Sequence, residues 1–215
     1  MIEKVLKRIP LAMCIIGKRR SGKTKILIDM LNSKYFKKTF DQIFLFSPTV
    51  SLDKSFENVK NEAVIGYDFY DEAVIEDILK LQKMKGENRK DILIILDDLA
   101  EKLKGKRGNI LEQLATKGRH FNCSFIFTSQ KYNAIPTVIR NNTDEIIFFR
   151  VSNNQELKTI SEEYQSKNLT MDFEDLLYSQ TKGYDYLLIV KGKDDVYYRS
   201  NGLNFVKLNF VTETD

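Results

Sequence analysis

The stretch GKRRSGKT, residues 17 to 24, has the residue types and the spacing of a phosphate-binding loop. Four residues separate Gly17 from Gly22, and Lys23 and Thr24 follow directly, which is the pattern G-x-x-x-x-G-K-[ST]. Backbone N–H groups of such a loop point at phosphate oxygens. The residues predicted to bind the phosphates of ATP are Gly17, Lys18, Arg19, Arg20, Ser21, Gly22, Lys23 and Thr24.

Two residues of this loop have separate chemical roles in the pattern. The ammonium group of Lys23 reaches the β- and γ-phosphates, and the hydroxyl group of Thr24 binds Mg²⁺. The loop follows the apolar run AMCII and precedes TKILIDMLNSKYF, whose apolar residues recur at helical spacing. A strand, a glycine loop and a helix start are the setting that this motif requires, so ATP with Mg²⁺ is the predicted ligand.

A second apolar run, DILIILDD, ends in Asp97 and Asp98. Hydrolysis of ATP requires a carboxylate that holds Mg²⁺ and a group that orients or deprotonates the attacking water. We predict that Asp97 holds the magnesium ion through water and that Asp98 acts on the attacking water. The alternative is that the two aspartates only cap the next helix, LAEKL.

A third apolar run ends in TSQ, which places Gln130 after a strand. A neutral amide can donate a hydrogen bond to phosphate and accept one from water at the same time. Gln130 is therefore predicted to sense the γ-phosphate or to position the water. The alternative is a polar strand end that faces solvent.

Two arginines are candidates for stabilising charge on the transferring phosphoryl group. A guanidinium group in this position contributes about 10³ to 10⁵ in rate. Arg119 precedes the fourth strand-like run and Arg140 follows it, and we favour Arg119 acting on a neighbouring subunit. For either residue the alternative is a surface or structural ion pair. Arg19 and Arg20 either contact the nucleotide or the neighbour, or they are solvated charges.

Five strand-like runs, separated by helix-forming stretches, must position these residues. They are AMCII (12–16), QIFLFS (42–47), DILIILDD (91–98), CSFIFTSQ (123–130) and EIIFFR (145–150). Nearly continuous apolar runs are typical of parallel strands covered by helices on both faces, so the predicted fold class is a doubly wound α/β sheet. Helices are predicted over 69–85 and 109–121 and in QELKTISEEYQ and MDFEDLLYS, followed by a β-hairpin that turns near residues 192–195.

Length and composition limit the possible classes of protein. The 215 residues, 42% hydrophobic and 30% charged, are typical of one folded domain, here predicted over residues 1–215 with its core at about 10–150. No apolar run is long enough to span a bilayer, so a cytoplasmic location without a membrane partner is expected. Cys14 and Cys123 lie in apolar runs, which favours buried, reduced thiols, and a single histidine argues against a zinc site.

The motifs GKRRSGKT, ILIILDD, GRHFNCSFIFTSQ and IPTVIRNNTDEIIFF, in this order and spacing, resemble the DNA-packaging ATPases of double-stranded DNA viruses and phages. These enzymes belong to the P-loop branch that includes the FtsK–HerA pumping ATPases and the poxvirus-type and podovirus-type packaging motors. The matching segments cover residues 12 to about 150, roughly two thirds of the chain. The sequence departs from most of this branch at Asp98, where glutamate is usual, which leaves the geometry of water activation open.

The resemblance implies a sheet of strand order 5-1-4-3-2 and a homomeric ring of five or six subunits with ATP at their interfaces. It also implies translocation of double-stranded DNA into a preformed capsid through a portal, in the cytoplasm of the host cell.

Such a motor needs a few cations aimed at the DNA backbone, because duplex DNA carries about one negative charge per 1.7 Å of axis. The net charge of the chain is only +4, but basic residues cluster in KLKGKR, which follows the Asp97–Asp98 strand. Lys104, Lys106 and Arg107 are therefore the first candidates for DNA contact, and the alternative is a solvated connector. Lys54 and Lys60 form a second candidate loop.

Other functions use the same phosphate-binding loop. A cellular or plasmid DNA pump of the FtsK–HerA type is the nearest alternative to a packaging motor. A small-molecule kinase also has such a loop, but the aspartate pair with TSQ fits water better than a nucleoside as acceptor. A nucleotide-gated assembly protein that hydrolyses little ATP is the remaining alternative.

Overall fold

The computed structural model describes residues 2–6, 8–99, 109–165, 169–192 and 195–209. Nine strands of this part of the chain form one sheet in the order β3-β2-β4-β5-β1-β6-β7-β8-β9. The strands are β1 (Ala12–Ile16), β2 (Gln42–Phe46), β3 (Val64–Tyr67), β4 (Ile92–Leu96), β5 (Cys123–Ser129), β6 (Glu145–Phe148), β7 (Tyr186–Val190), β8 (Val196–Asn201) and β9 (Asn204–Lys207). Strands β1 to β6 are mutually parallel, and β7, β8 and β9 continue the sheet in antiparallel fashion.

The predicted strand order is confirmed for the five strands that the sequence indicated. In the order of the sheet these are β6, β1, β5, β4 and β2, which is 5-1-4-3-2 when the five are counted along the chain. The C-terminal hairpin is confirmed as β7 and β8. The prediction missed two short strands at the edges of the sheet, β3 and β9.

Seven α-helices connect or flank the strands in the described residues. They are α1 (Lys23–Asn32), α2 (Lys34–Thr39), α3 (Glu72–Met84), α4 (Asn109–Lys117), α5 (Thr137–Asn141), α6 (Asn154–Tyr164) and α7 (Phe173–Gln180). The helix predicted after the phosphate-binding loop is in fact two, because Ser33 is extended and its hydroxyl caps α2 by accepting a hydrogen bond from the N–H of Phe36. No helix in the described ranges is long and apolar enough to span a membrane.

Helices cover both faces of the sheet, so the doubly wound fold class is confirmed. Along β1 the side chains alternate between two apolar clusters, with Cys14 in one and Met13 in the other. Helices α1 and α2 pack on the second cluster, whereas α3, α4, α6 and α7 pack on the first. Cys14 and Cys123 are free and buried, as predicted, and burial raises the pKa of each thiol to about 12.

Candidate active site

The carboxyl ends of the parallel strands lie together along one edge of the sheet, the edge formed by strand ends. There they surround a cavity of about 870 Å³, called the phosphate cavity below. The loop after β1, the residues after β2, the aspartates after β4 and the glutamine after β5 all line it. Its lining residues are Arg19, Arg20, Ser21, Gly22, Lys23, Thr24, Lys25, Thr49, Leu52, Asp53, Ser55, Asp97, Asp98, Gln130 and Tyr184. The chemical groups predicted from three separate motifs therefore line a single cavity.

The two glycines of the loop are required by its geometry. A Cβ atom on Gly17 would lie 2.5 Å from the Oγ atom of Ser21 and 2.7 Å from the Cβ atom of Phe149. Gly22, which precedes α1, has a φ of 109°, a region that side-chain-bearing residues rarely adopt. The loop therefore closes tightly over the end of β1 and directs the start of α1 toward the cavity.

Lys23 lies at the first position of α1 with its ammonium group folded back along the loop. The Nζ atom donates to the carbonyl oxygen of Gly17 at 2.6 Å and to that of Lys18 at 3.2 Å. Burial lowers the pKa of Lys23, and the carboxylates of Asp98 and Asp97 act in the opposite direction. The ammonium-bearing side chain and the two aspartates also line the same cavity.

Asp97 is a buried carboxylate, 5% exposed, that two hydroxyl groups hold in place. Ser47 donates to its Oδ2 atom at 2.8 Å and Thr128 donates to its Oδ1 atom at 2.6 Å. Burial raises the pKa of Asp97 despite these hydrogen bonds. A carboxylate with this desolvation cost is stabilised by a cation at the cavity wall, which fits the predicted role of holding Mg²⁺.

Asp98 has a left-handed backbone conformation, with φ of 52°. Its N–H donates to the hydroxyl oxygen of Thr128 at 3.0 Å, and its Oδ2 atom accepts from the Nε2 atom of Gln130 at 2.6 Å. Aspartate and asparagine adopt this conformation more readily than most residues with longer side chains. The conformation gives a physical reason for aspartate where the resembling enzymes have glutamate.

Gln130 and Asp98 act as a pair in this arrangement. Because the amide donates to the carboxylate, the amide oxygen of Gln130 stays available to accept a hydrogen bond. Gln130 and Asp98 are both exposed, so their contact is also compatible with the alternative of a polar strand end that faces solvent. The contacts on Asp97 come from side-chain hydroxyls and not from the backbone N–H groups that a helix cap accepts. Apart from Leu99, the predicted helix LAEKL lies outside the described residues.

The residues present fit a nucleoside triphosphate with Mg²⁺. Arg19, Arg20, Lys23 and Lys25 line the cavity with positive charge, and α1 begins there with its N-terminal N–H groups. Thr24, which also lines the cavity, and Asp97 are the residues that would hold the metal ion.

The structure does not bring the two candidate arginines to this cavity. Arg119 is exposed in the segment Gly118–Phe121. Because this segment precedes β5, it lies at the amino ends of the parallel strands, at the edge of the sheet opposite the cavity. Arg140, in α5, donates to Glu163 at 2.6 Å and its guanidinium lies over the ring of Tyr132. The structural ion pair that was the alternative for Arg140 is therefore present.

The candidate DNA-binding residues fall into two groups. Lys104, Lys106 and Arg107 lie outside the described residues. Lys54 and Lys60 are exposed in and beside the segment Lys54–Asn58, which follows β2. Asp53 and Ser55, on either side of Lys54, line the phosphate cavity. The segment therefore has residues at the cavity and an exposed lysine between them.

Sequence reasoning missed the residues that position the aspartates. Ser47 ends the run QIFLFS and Thr128 lies in the run CSFIFTSQ, where a hydroxyl residue reads as an ordinary polar interruption of a strand. Only the pairing of neighbouring strands shows that both hydroxyls face Asp97. Tyr184 was missed as well, because it comes from a turn far along the chain.

Comparison with solved structures shows which fold this is. The genome packaging NTPase B204 of Sulfolobus turreted icosahedral virus 2, in complex with sulfate, superposes with a TM-score of 0.69 at 16% identity, covering 92% of this chain and 99% of that chain. The same NTPase in complex with AMP gives a TM-score of 0.61 at 18% identity, covering 85% and 94%. EssC (ATPases 2 and 3) from Geobacillus thermodenitrificans gives 0.60 at 14% identity, covering 96% of this chain and 41% of that chain.

The sequence also has a viral relative and a family. Uncharacterized protein 075L of Invertebrate iridescent virus 6 is 27% identical over 149 residues, which is 68% of this chain and 57% of that protein. The match thus spans a little over half the length of the relative. The family model described as Poxvirus A32 protein matches residues 2–201. These matches confirm the predicted resemblance to P-loop ATPases of the viral packaging type. The chain belongs to the Poxvirus A32 protein family.

Proposed function

We propose that this protein is an ATP-driven translocase of double-stranded DNA in a viral genome-packaging motor. The observation that carries the proposal is the convergence of Lys23, Asp97, Asp98 and Gln130 on a single cavity that the phosphate-binding loop borders. Membership of the Poxvirus A32 protein family and the likeness to a genome packaging NTPase support the coupling to DNA.

In the proposed reaction the residues of this chain divide the work of hydrolysis. The loop and Lys23 bind and orient the triphosphate, while Gln130 and Asp98 hold a water molecule in line with the γ-phosphorus. The water oxygen bonds to the γ-phosphorus while the bond to the β–γ bridging oxygen breaks, Asp98 accepts the proton of the water, and ADP and phosphate leave. Thr24 and Asp97 would hold Mg²⁺, which would supply positive charge to neutralise the phosphate oxygens.

Arg119 is proposed to complete the pocket of a neighbouring subunit in a ring. Its place at the edge of the sheet opposite the cavity excludes a contact with the nucleotide of its own chain, and its exposed side chain is compatible with a contact to another subunit. Arg140 is the second candidate, and it would have to leave Glu163 to act. The ring, of five or six subunits, would act in the host cytoplasm and dock transiently on a portal of the assembling capsid.

The test is the rate of ATP hydrolysis by the purified chain with and without linear duplex DNA, beside a Lys23→Ala control. Stimulation by duplex DNA that the control lacks is the expected result. Displacement of a third strand from a triplex substrate, dependent on ATP, would then show translocation. Transfer of phosphate to a nucleoside would identify a kinase instead, and hydrolysis indifferent to DNA would favour a nucleotide-gated assembly protein.

The nearest alternative, a cellular or plasmid DNA pump, has the same chemistry and differs in its partners. Binding of the chain to a viral portal or capsid protein encoded beside it would favour packaging. Neighbouring genes for conjugation or secretion would favour the pump.

A further inference from the structure

A second cavity, of about 400 Å³, adjoins the phosphate cavity on the side of α1 and the C-terminal strands. Its lining residues are Gly22, Lys25, Ile26, Asp29, Phe149, Tyr184, Tyr186, Asn201 and Gly202. Gly22, Lys25 and Tyr184 line both cavities, so the two cavities are adjacent. Small-ligand sites are commonly concave, largely apolar spaces of this size with a few polar groups.

The direction in which a nucleotide lies along the phosphate-binding loop decides which part of it is near the second cavity. The γ-phosphate end of a nucleotide lies at Lys23, Asp97 and Asp98, because those residues carry the hydrolytic chemistry. The base must therefore extend away from the aspartates. None of the aspartate pair or Gln130 lines the second cavity, whereas Gly22 and Lys25, at the start of α1, do.

A third cavity, of about 310 Å³, does not meet this requirement. It lies on the other side of the loop, against Gly17, Lys18 and Gln130. Since Gln130 is hydrogen-bonded to Asp98, this space belongs to the hydrolytic end of the site. A base placed there would lie at the end of the site where the γ-phosphate belongs, and its triphosphate would extend away from the aspartates.

The aromatic residues of the second cavity differ in exposure. Phe149 and Tyr186 are 2% and 1% exposed, and their ring centroids are 5.3 Å apart. These two buried rings pack together and form the inner wall of the cavity. The hydroxyl group of Tyr186 donates to the carbonyl oxygen of Gly202 at 2.5 Å. Tyr184 is 69% exposed, and no ring pair among the described residues includes it.

The ring of Tyr184 nonetheless stands close to the loop. A Cβ atom on Gly22 would lie 3.6 Å from the Cδ1 atom of Tyr184 and 3.3 Å from the Cε1 atom of Phe149. An exposed aromatic ring beside a phosphate site offers a flat surface for a nucleobase, since every base has a π-face that can stack on an aromatic ring.

We propose that this second cavity binds the nucleobase of ATP and that Tyr184 is the residue on which the base stacks. The inference rests on the proposed binding of ATP at the phosphate-binding loop. The C-terminal extension of the sheet then completes the nucleotide site, because Tyr184 precedes β7 while Asn201 and Gly202 lie at the end of β8.

The test compares ligands with and without a base by calorimetric titration. Tyr184→Ala should weaken binding of ATP and of GTP by about 10-fold and leave binding of inorganic tripolyphosphate within about 2-fold. Tyr184→Phe, which keeps the ring, should bind all three ligands as the unaltered chain does. In steady-state hydrolysis, Tyr184→Ala should raise KM for ATP and leave kcat nearly unchanged.

The matched control is Tyr178→Ala, because Tyr178 is an exposed tyrosine, 60% exposed, that lines neither cavity. It should change no affinity, and thermal unfolding should show all variants folded. Unchanged affinity of Tyr184→Ala for ATP, or an equal loss for tripolyphosphate, would overturn the base site. If Lys23→Ala bound ATP as well as the unaltered chain does, the proposed function itself would fail, and this inference with it.

Discussion

At the scale of single residues, the hydroxyl group of Thr128 contacts both acidic groups of the site. It donates to the Oδ1 atom of Asp97 and accepts from the N–H of Asp98. Thr128 is fully buried, so water cannot replace either contact. One side chain thus fixes the distance between the residue proposed to hold the metal ion and the residue proposed to act on water.

Thr128→Val should therefore impair turnover more than binding. The variant keeps the shape of the side chain but leaves Asp97 with one hydroxyl donor, and small misplacements of catalytic groups cost up to about 100-fold. We expect kcat to fall by about 10- to 100-fold with the affinity for ATP within about 3-fold. Thr128→Ser, which restores the hydroxyl, should recover most of the activity, and a lack of recovery would contradict a positioning role.

Asp98→Asn should separate ATP binding from hydrolysis. Asparagine adopts the left-handed backbone conformation of this position. The conformation of the loop should therefore be kept, while the carboxylate that accepts the proton is lost. We expect hydrolysis to fall by about 10² to 10⁴-fold, with nucleotide affinity unchanged by titration. Asp91→Asn, at the other end of β4, is the matched control, and normal turnover by Asp98→Asn would refute the assigned role.

At the scale of elements, β6 carries a buried acidic group far from the nucleotide. Glu145 begins β6 and is fully buried. Burial, followed by the neighbouring Asp144, raises its pKa from 4.5 to about 8, while Arg8 and the backbone of Ala12 act in the opposite direction. The folded chain therefore keeps a proton on Glu145 that the unfolded chain has lost above about pH 5.

The sign of the pH dependence follows from this difference. Between about pH 4.5 and 8 the folded state holds more protons at this site than the unfolded state, so stability falls as pH rises. Glu145→Gln should reduce the loss of unfolding free energy between pH 5 and pH 8 by about 2 to 4 kcal/mol. Chemical denaturation of both proteins at the two pH values measures it, and identical pH slopes would contradict it.

The elements also show what the sequence predicts and what it does not. The five parallel strands and their order follow from long apolar runs and from the motifs at their ends. Strand β3, VIGY, is short and only partly buried, so its apolar pattern gives too weak a signal. The contact of Ser47 and Thr128 with Asp97, and the approach of Tyr184 to Gly22, depend on which strands become neighbours, which no local pattern encodes.

At the scale of the whole molecule, neither candidate arginine lines the cavity of its own chain. The cavity has basic side chains from its own loop, but Arg119 lies at the opposite edge of the sheet and Arg140 is paired with Glu163. A head-to-tail ring would bring that opposite edge of one subunit to the cavity of the next, as heterologous interfaces do.

Mixing two inactive variants tests this arrangement. Subunits with Arg119→Ala keep an intact phosphate loop, and subunits with Lys23→Ala keep the arginine, so hybrid interfaces contain one complete site. We expect partial recovery of ATP hydrolysis, highest near an equal ratio of the two. Arg140→Ala in place of Arg119→Ala is the comparison, and absence of recovery in mixtures that assemble would contradict action in trans.

The proposed binding of DNA also belongs to this scale, because a ring would present the same loops from every subunit. Replacing Lys104, Lys106 and Arg107 together by alanine should weaken duplex binding and lower the salt dependence of affinity. The slope should change by about 0.9 for each phosphate that the variant no longer neutralises. Lys54→Ala with Lys60→Ala is the parallel variant for the second loop. Binding at several salt concentrations ranks the two loops, and an unchanged slope in both would exclude them.

The contacts of Lys23 have a consequence for how affinity should be interpreted. Two of its three ammonium N–H groups donate to the carbonyl oxygens of Gly17 and Lys18, so a phosphate that binds more than one of the three exchanges partners with the loop. The measured strength of nucleotide binding is then a difference between two sets of hydrogen bonds. Part of the energy released on binding is used to free those carbonyls, which couples occupancy of the site to the shape of the loop.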